Sequence, residues 1–154
     1  MSTVAARLKA ANIQLPRPSK VVGLYAPAVR SGNLLVVSGH GPLKADRTLV
    51  CGRVGEDISI EQATEAARLT ALNTLATVEQ YLGSLENVVR VVKVLGLVRA
   101  VADFTEHPKV MDGFTDILRI AFGEVNGLPA RSAIGVASLP AGICVEVESI
   151  FEVR

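Results

Sequence analysis

Leu128 to Glu148 reads LPARSAIGVASLPAGICVEVE. One arginine, Arg131, follows a Pro-Ala pair directly and opens an apolar run containing Ala133, Ile134 and Val136. The sequence Leu139-Pro140-Ala141-Gly142 breaks the run, and a second alternating run follows with Glu146 and Glu148 two residues apart. Strand side chains alternate between faces, so these two carboxylates share one face. The pattern predicts two strands around a loop, the first of them buried in a sheet. An arginine at the mouth of a buried run keeps its charge at any physiological pH and must find an anion. Two partners fit: a small carboxylate ligand gripped by the planar guanidinium, or Glu146, in which case the pair is a strut at a strand end.

Upstream, VVRVVKVLGLVRAV (residues 88–101) is the most β-prone run and predicts a central strand, with a bend or bulge at Gly96. Because it is apolar on both faces, one face should meet helices and the other a second subunit. Pro108 opens a helix with a buried stripe of Val110, Phe114, Ile117 and Ala121, ended by Gly123. Ser59 and Gln62 form a capping-box signature for another long helix, whose inner stripe runs Ile60, Ala63, Ala67, Ala71, Thr74, Val78 and Tyr81 up to Gly83. Earlier still, Val21–Val29 and Leu34–Ser38 predict a hairpin about Arg30-Ser31-Gly32-Asn33, interrupted at Gly39, Gly41 and Pro42, with the bare backbone of Gly39 admitting close approach of a ligand. TVAARLKAA (residues 3–11) predicts a short N-terminal helix packed on the edge of the fold, stopped at Asn12.

With 154 residues, 49% of them hydrophobic, the chain is expected to form one domain over 1–154. Sixteen Lys and Arg nearly balance fifteen Asp and Glu, and they are scattered, so no electrostatic track for nucleic acid is present. Cys51, Cys144, His40 and His107 have no metal-ligand spacing, and no metal is expected. Both cysteines read as small core or strand residues. No apolar span reaches the ~20 residues needed to cross a bilayer, and no signal-peptide core is visible, so a cytoplasmic protein without membrane contact is expected.

Pro129-Ala130-Arg131-Ser132, Leu139-Pro140 and Val145-Glu146-Val147-Glu148, with Tyr25, Ala28, Ser31-Gly32-Asn33-Leu34-Leu35 and Val37-Ser38-Gly39 upstream, closely resemble the reactive-intermediate imine/enamine deaminase family. This family is also called YjgF-type or L-PSP endoribonuclease-like. The resemblance implies an α+β, chorismate-mutase-like mixed sheet with the two long helices on one face, assembled as a homotrimer with clefts between subunits. It implies hydrolysis of 2-imino or 2-enamino acids to 2-oxo acids and ammonia without a cofactor. Carried onto this chain, Arg131 would clamp the substrate carboxylate, Glu146 would hold water, and Tyr25 would close the cleft. The main chain around Ser38 and Gly39 would line the pocket, with Ala133 where many members carry a cysteine. Asp112 stands nearest the family's asparagine and would disfavour an anionic substrate if it faced the cleft. His40 replaces a common glutamine and reads as a strand-end hydrogen-bonder, while Glu148 reads as structural. Two rival readings remain: a noncatalytic carboxylate-binding or sensing protein, suggested by Ala133 and Asp112, and, third, an endoribonuclease.

Overall fold

The computed structural model describes residues 2–154. Three helices and five strands follow in the order α1 (Val4–Ala10), β1 (Ala28–Ser31), β2 (Leu34–His40), α2 (Ile60–Leu82), β3 (Val88–Arg99), α3 (His107–Asn126), β4 (Ala130–Val136) and β5 (Val145–Val153). The strands form one mixed sheet in the order β1-β2-β5-β3-β4, in which only β3 and β4 run parallel. That parallel step requires a crossover, which α3 supplies.

Helix α2 begins where its sequence signals it: Ser59 accepts from the Gln62 amide at 3.1 Å, and Gln62 returns a 2.9 Å contact to the Ser59 amide. Gly83 ends it at φ 77°, a left-handed conformation that costs a glycine nothing. Ala63, Ala67, Ala71, Thr74 and Val78 are buried as the stripe predicts, but Tyr81 lies on the exposed last turn. The α3 stripe of Val110, Phe114, Ile117 and Ala121 is buried throughout, and Gly123 breaks the helical geometry at φ 87° before one further turn. Both helices pack on the sheet face that carries Val91, Val94, Val98, Val145, Val147 and Phe151, and together they form one contiguous core.

Several expectations are corrected. Val21–Pro27 is irregular and largely exposed rather than strand, and only Ala28–Ser31 pairs with β2. Pro27 ends that irregular stretch and lacks the amide a ladder needs. The middle strand is β5, with β3 beside it, and β3 keeps register through Gly96 without a bulge. Gly96 is instead the seat of the Met111 side chain, which a Cβ there would strike. β4 is an edge strand, so Ile134 is 46% exposed rather than buried. Cys51 is exposed, whereas Cys144 is buried and its thiol is pushed up to about 11 by burial. The opposite face of the sheet, holding Leu95, Leu97, Glu146, Glu148 and Ile150, is covered by no element of the chain.

Candidate active site

The sheet is interrupted where β2 leaves β5. Val37 faces Ser149, but the next pair is His40 with Val147, so Ser38 and Gly39 bulge opposite Glu148. Glu146, on the uncovered face of β5, lays its carboxyl against Gly39. A Cβ on that glycine would collide with Glu146 Oε1 and would come within 3.0 Å of its Cδ. Gly39 is therefore required for the carboxylate's position. Ser38 anchors the bulge through its hydroxyl, which donates to the Ala26 carbonyl at 2.7 Å, and its amide, which donates to Pro27 at 3.0 Å.

A cavity of about 520 Å³ opens here, lined by Tyr25, Ser38, Gly39, Pro140, Glu146 and Glu148, among others. Among the described residues, no hydrogen bond or ion pair engages the Glu146 carboxylate. Burial, and after it the neighbouring Glu148, raise its pKa above the ordinary carboxylate value. A half-buried, unpaired carboxylate with a raised pKa is suited to take a proton from water. The aligned Glu146–Glu148 spacing already signalled that Glu148 faces the same space, although it was read as structural. Gly41, which the sequence marks as a strand exit, also lines the cavity, as do Val22 and Ile143, which nothing in the sequence singles out.

His40 turns inward below this site. Its Nδ1 lies 2.7 Å from the Ser38 carbonyl, which can only accept, so Nδ1 carries the proton and Nε2 accepts from the Thr77 hydroxyl at 2.8 Å. Burial lowers its pKa, and the ring is neutral. This is the strand-end hydrogen-bonder expected from the sequence.

Arg131 and Ala133 are not brought to Glu146 within the chain. Arg131 pairs across β3 with Val94 and extends toward α3, while Glu146 pairs with Leu97 on the opposite face. Leu97 in turn aligns with Ile134, three residues beyond Arg131, which puts the two charges about 10 Å apart along the sheet as well as on its two sides. The Arg131–Glu146 strut is therefore absent. Asp112 Oδ1 accepts from Arg131 Nη1 at 2.9 Å, Thr115 Oγ1 accepts from the same nitrogen at 3.0 Å, and the Pro108 carbonyl lies 3.3 Å from Nη2. These contacts use three of the five guanidinium N–H groups and leave two, enough for a two-point grip on a carboxylate. Ala133 follows on the same side, aligned with Gly96 and packed at the core's edge.

No three His, Cys, Asp or Glu side chains among the described residues are grouped to hold a metal ion, and no described helix is long and apolar enough to cross a membrane.

Comparison with known proteins agrees with this architecture. Protein TCP17 of Trypanosoma cruzi is 37% identical over 151 residues, covering 98% of this chain and 94% of the relative. A 2-iminobutanoate/2-iminopropanoate deaminase of Dermatophagoides farinae is 30% identical over 139 residues, covering 90% and 92%. The crystal structure of protein Atu1372, of unknown function, from Agrobacterium tumefaciens superimposes with a TM-score of 0.89 at 38% identity, covering 99% of this chain and 94% of that one. The family model described as "YjgF/chorismate_mutase-like, putative endoribonuclease" matches residues 5–144, and the chain belongs to that family.

Proposed function

We propose that the protein hydrolyses 2-imino or 2-enamino acids to 2-oxo acids and ammonia, in a site completed by a second copy of the chain. The observation that carries this reading is the unpaired Glu146 carboxylate held against Gly39 in the Tyr25 cleft. The D. farinae relative bears the name of this activity. In the reaction, Glu146 takes a proton from water as the water oxygen attacks the imine carbon. Glu146 returns that proton to nitrogen, giving the carbinolamine; a second proton passes from its hydroxyl to nitrogen by way of Glu146 as the C–N bond breaks with the electron pair leaving on ammonia and the C=O bond forms. Nothing is oxidised or reduced. The imine carbon is already electrophilic, so orientation and modest base assistance suffice.

Tyr25 closes the cleft, and the Ser38-Gly39 backbone forms its wall. Arg131 supplies the two-point grip on the substrate carboxylate, with Ala133 beside it, from the neighbouring copy. The Glu146 half of the site lies toward the β1-β2-β5 side of the sheet and the Arg131 half at the β4 edge. A head-to-tail contact that closes into a ring brings two such halves together at every interface, and a cyclic homotrimer fits. Exposed Val29, Leu34, Val36 and Ile134, with the uncovered sheet face, provide apolar surface for that contact.

The test is to generate 2-iminopropanoate or 2-iminobutanoate in situ with an amino-acid oxidase and to follow 2-oxo acid formation. Acceleration over buffer is expected; no acceleration for any imine tested rejects the reading. The Asp112–Arg131 pair favours one second reading, a noncatalytic carboxylate binder, because that carboxylate already satisfies part of the clamp. Thermal stabilisation by 2-oxobutanoate without turnover would select it.

A further inference from the structure

The Glu146 cavity has a neighbour. A second cavity, of about 300 Å³, is bordered by the same Val22, Tyr25, Gly39 and Gly41 and extends over His40 and Thr77. Its walls are largely apolar, from Val21, Pro27, Leu43 and Leu49, and its only charged lining residues among those described are Lys20 and Arg47. His40 adds no charge, since its ring is neutral and both its nitrogens are engaged. The two adjoining cavities thus carry charges of opposite sign, Glu146 and Glu148 lining one and two cations the other.

The turn that carries Arg47 is held, and both cations are uncommitted. Leu43 and Leu49 bridge in antiparallel fashion, and Lys44 donates its amide to the Thr48 carbonyl at 2.8 Å. Asp46 pins the turn by accepting from the Thr48 amide and hydroxyl, at 2.9 and 2.6 Å. Arg47 sits in that turn at φ 70°, a conformation unusual for a residue with a side chain. Among the described residues, neither Arg47 nor Lys20 forms an ion pair, although the Asp46 carboxylate is one residue from Arg47. Asp46 is turned to Thr48 instead.

We infer that the second cavity receives the substrate side chain, and that Lys20 and Arg47 select 2-imino acids whose apolar side chain ends in a carboxylate. This rests on the deaminase reading. A substrate held at its own carboxylate by Arg131, with the imine carbon over Glu146, directs its side chain past Tyr25, Gly39 and Gly41 toward the second cavity. Gly41 keeps this boundary free of a side chain: a Cβ there would come within 2.8 Å of Ile143 Cδ1. A side chain too short to reach the cations leaves them unused, whereas a longer one brings a terminal carboxylate to them.

The experiment compares 2-iminoadipate with 2-iminohexanoate, which has the same chain length but no terminal charge, both made in situ from the parent amino acids. About a tenfold higher kcat/KM for 2-iminoadipate is expected, the size of one charge-assisted contact. The ratio should fall toward one in Lys20→Ala and Arg47→Ala, and should shrink with added salt because both cations are exposed. Equal rates for the two imines, or a ratio untouched by both substitutions, overturn the inference. Turnover of 2-iminopropanoate but of neither six-carbon imine also overturns it, whereas turnover of none of the three means that the deaminase reading fails by itself. Thermal shift then decides the cavity's role: a larger shift with 2-oxoadipate than with 2-oxohexanoate, lost in Arg47→Ala, upholds anion selection, and equal shifts reject it.

Discussion

At Arg131, the contact made inside the chain and the one expected from substrate draw on different N–H groups. Asp112 is 69% exposed on its side chain, against 21% for Arg131, so removing the arginine returns that carboxylate to water rather than stranding it. Arg131→Ala is therefore expected to cost about 1 kcal/mol or less in stability, read by denaturant unfolding, while lowering deamination about tenfold or more. Arg131→Lys should also be impaired, because an ammonium cannot make the two-point grip. Glu146 makes a different prediction through its raised pKa. The folded state holds this proton more tightly than the unfolded chain, so its contribution to stability is best below the ordinary carboxylate value of about 4.3 and is lost as pH rises through the raised one. Glu146→Gln should therefore melt higher than the parent at neutral pH, with the gain closing in acid, and should lose turnover; an equal gain at both pH values would contradict the assignment. The sequence marked Glu146 and Glu148 because period-two spacing fixes which face a side chain takes. It did not mark the partner of Arg131, since Asp112 reaches that arginine only through the parallel crossover, nineteen positions away.

Among the elements, the close approach of α2 and α3 depends on Gly113. A Cβ there would meet the Thr64 backbone carbonyl, with Thr64 C only 3.0 Å away. At Gly96 a Cβ meets the side chain of Met111, whose three rotatable bonds allow some retreat. Gly113→Ala should thus destabilise more than Gly96→Ala, by about 1–3 kcal/mol for the first, as overpacking against a fixed neighbour does. Chemical denaturation of the two variants gives the order, and the reverse order would show that the helices yield more readily than Met111. Both long helices were legible from caps and periodicity, signals carried by residues within a few positions of each other. Strand order was less so: Val21–Val29 reads as an apolar, β-branched run, but its length as a strand is limited by Pro27 and by which partner runs beside it. Similarly, β4 reads as buried because Ala133, Ile134 and Val136 are apolar, and only topology reveals that it forms the sheet's edge.

At the scale of the whole molecule, the uncovered sheet face and the proposed division of the site between two edges both call for more than one copy. The apolar face was legible in the two-sided hydrophobicity of residues 88–101, whereas the division of the site was not, because spacing along a sequence does not say which side of a sheet faces a helix. Sedimentation at micromolar concentration should give a trimer. The most direct measurement of the shared site is complementation. Arg131→Ala and Glu146→Gln, each strongly impaired alone, are unfolded, mixed in equal amounts and refolded together. In a ring where each site takes its arginine from one copy and its carboxylate from the next, about a quarter of the sites combine two intact halves. The mixture should recover about a quarter of the parent's rate per chain; a mixed, refolded assembly that stays as inactive as its components would contradict the account.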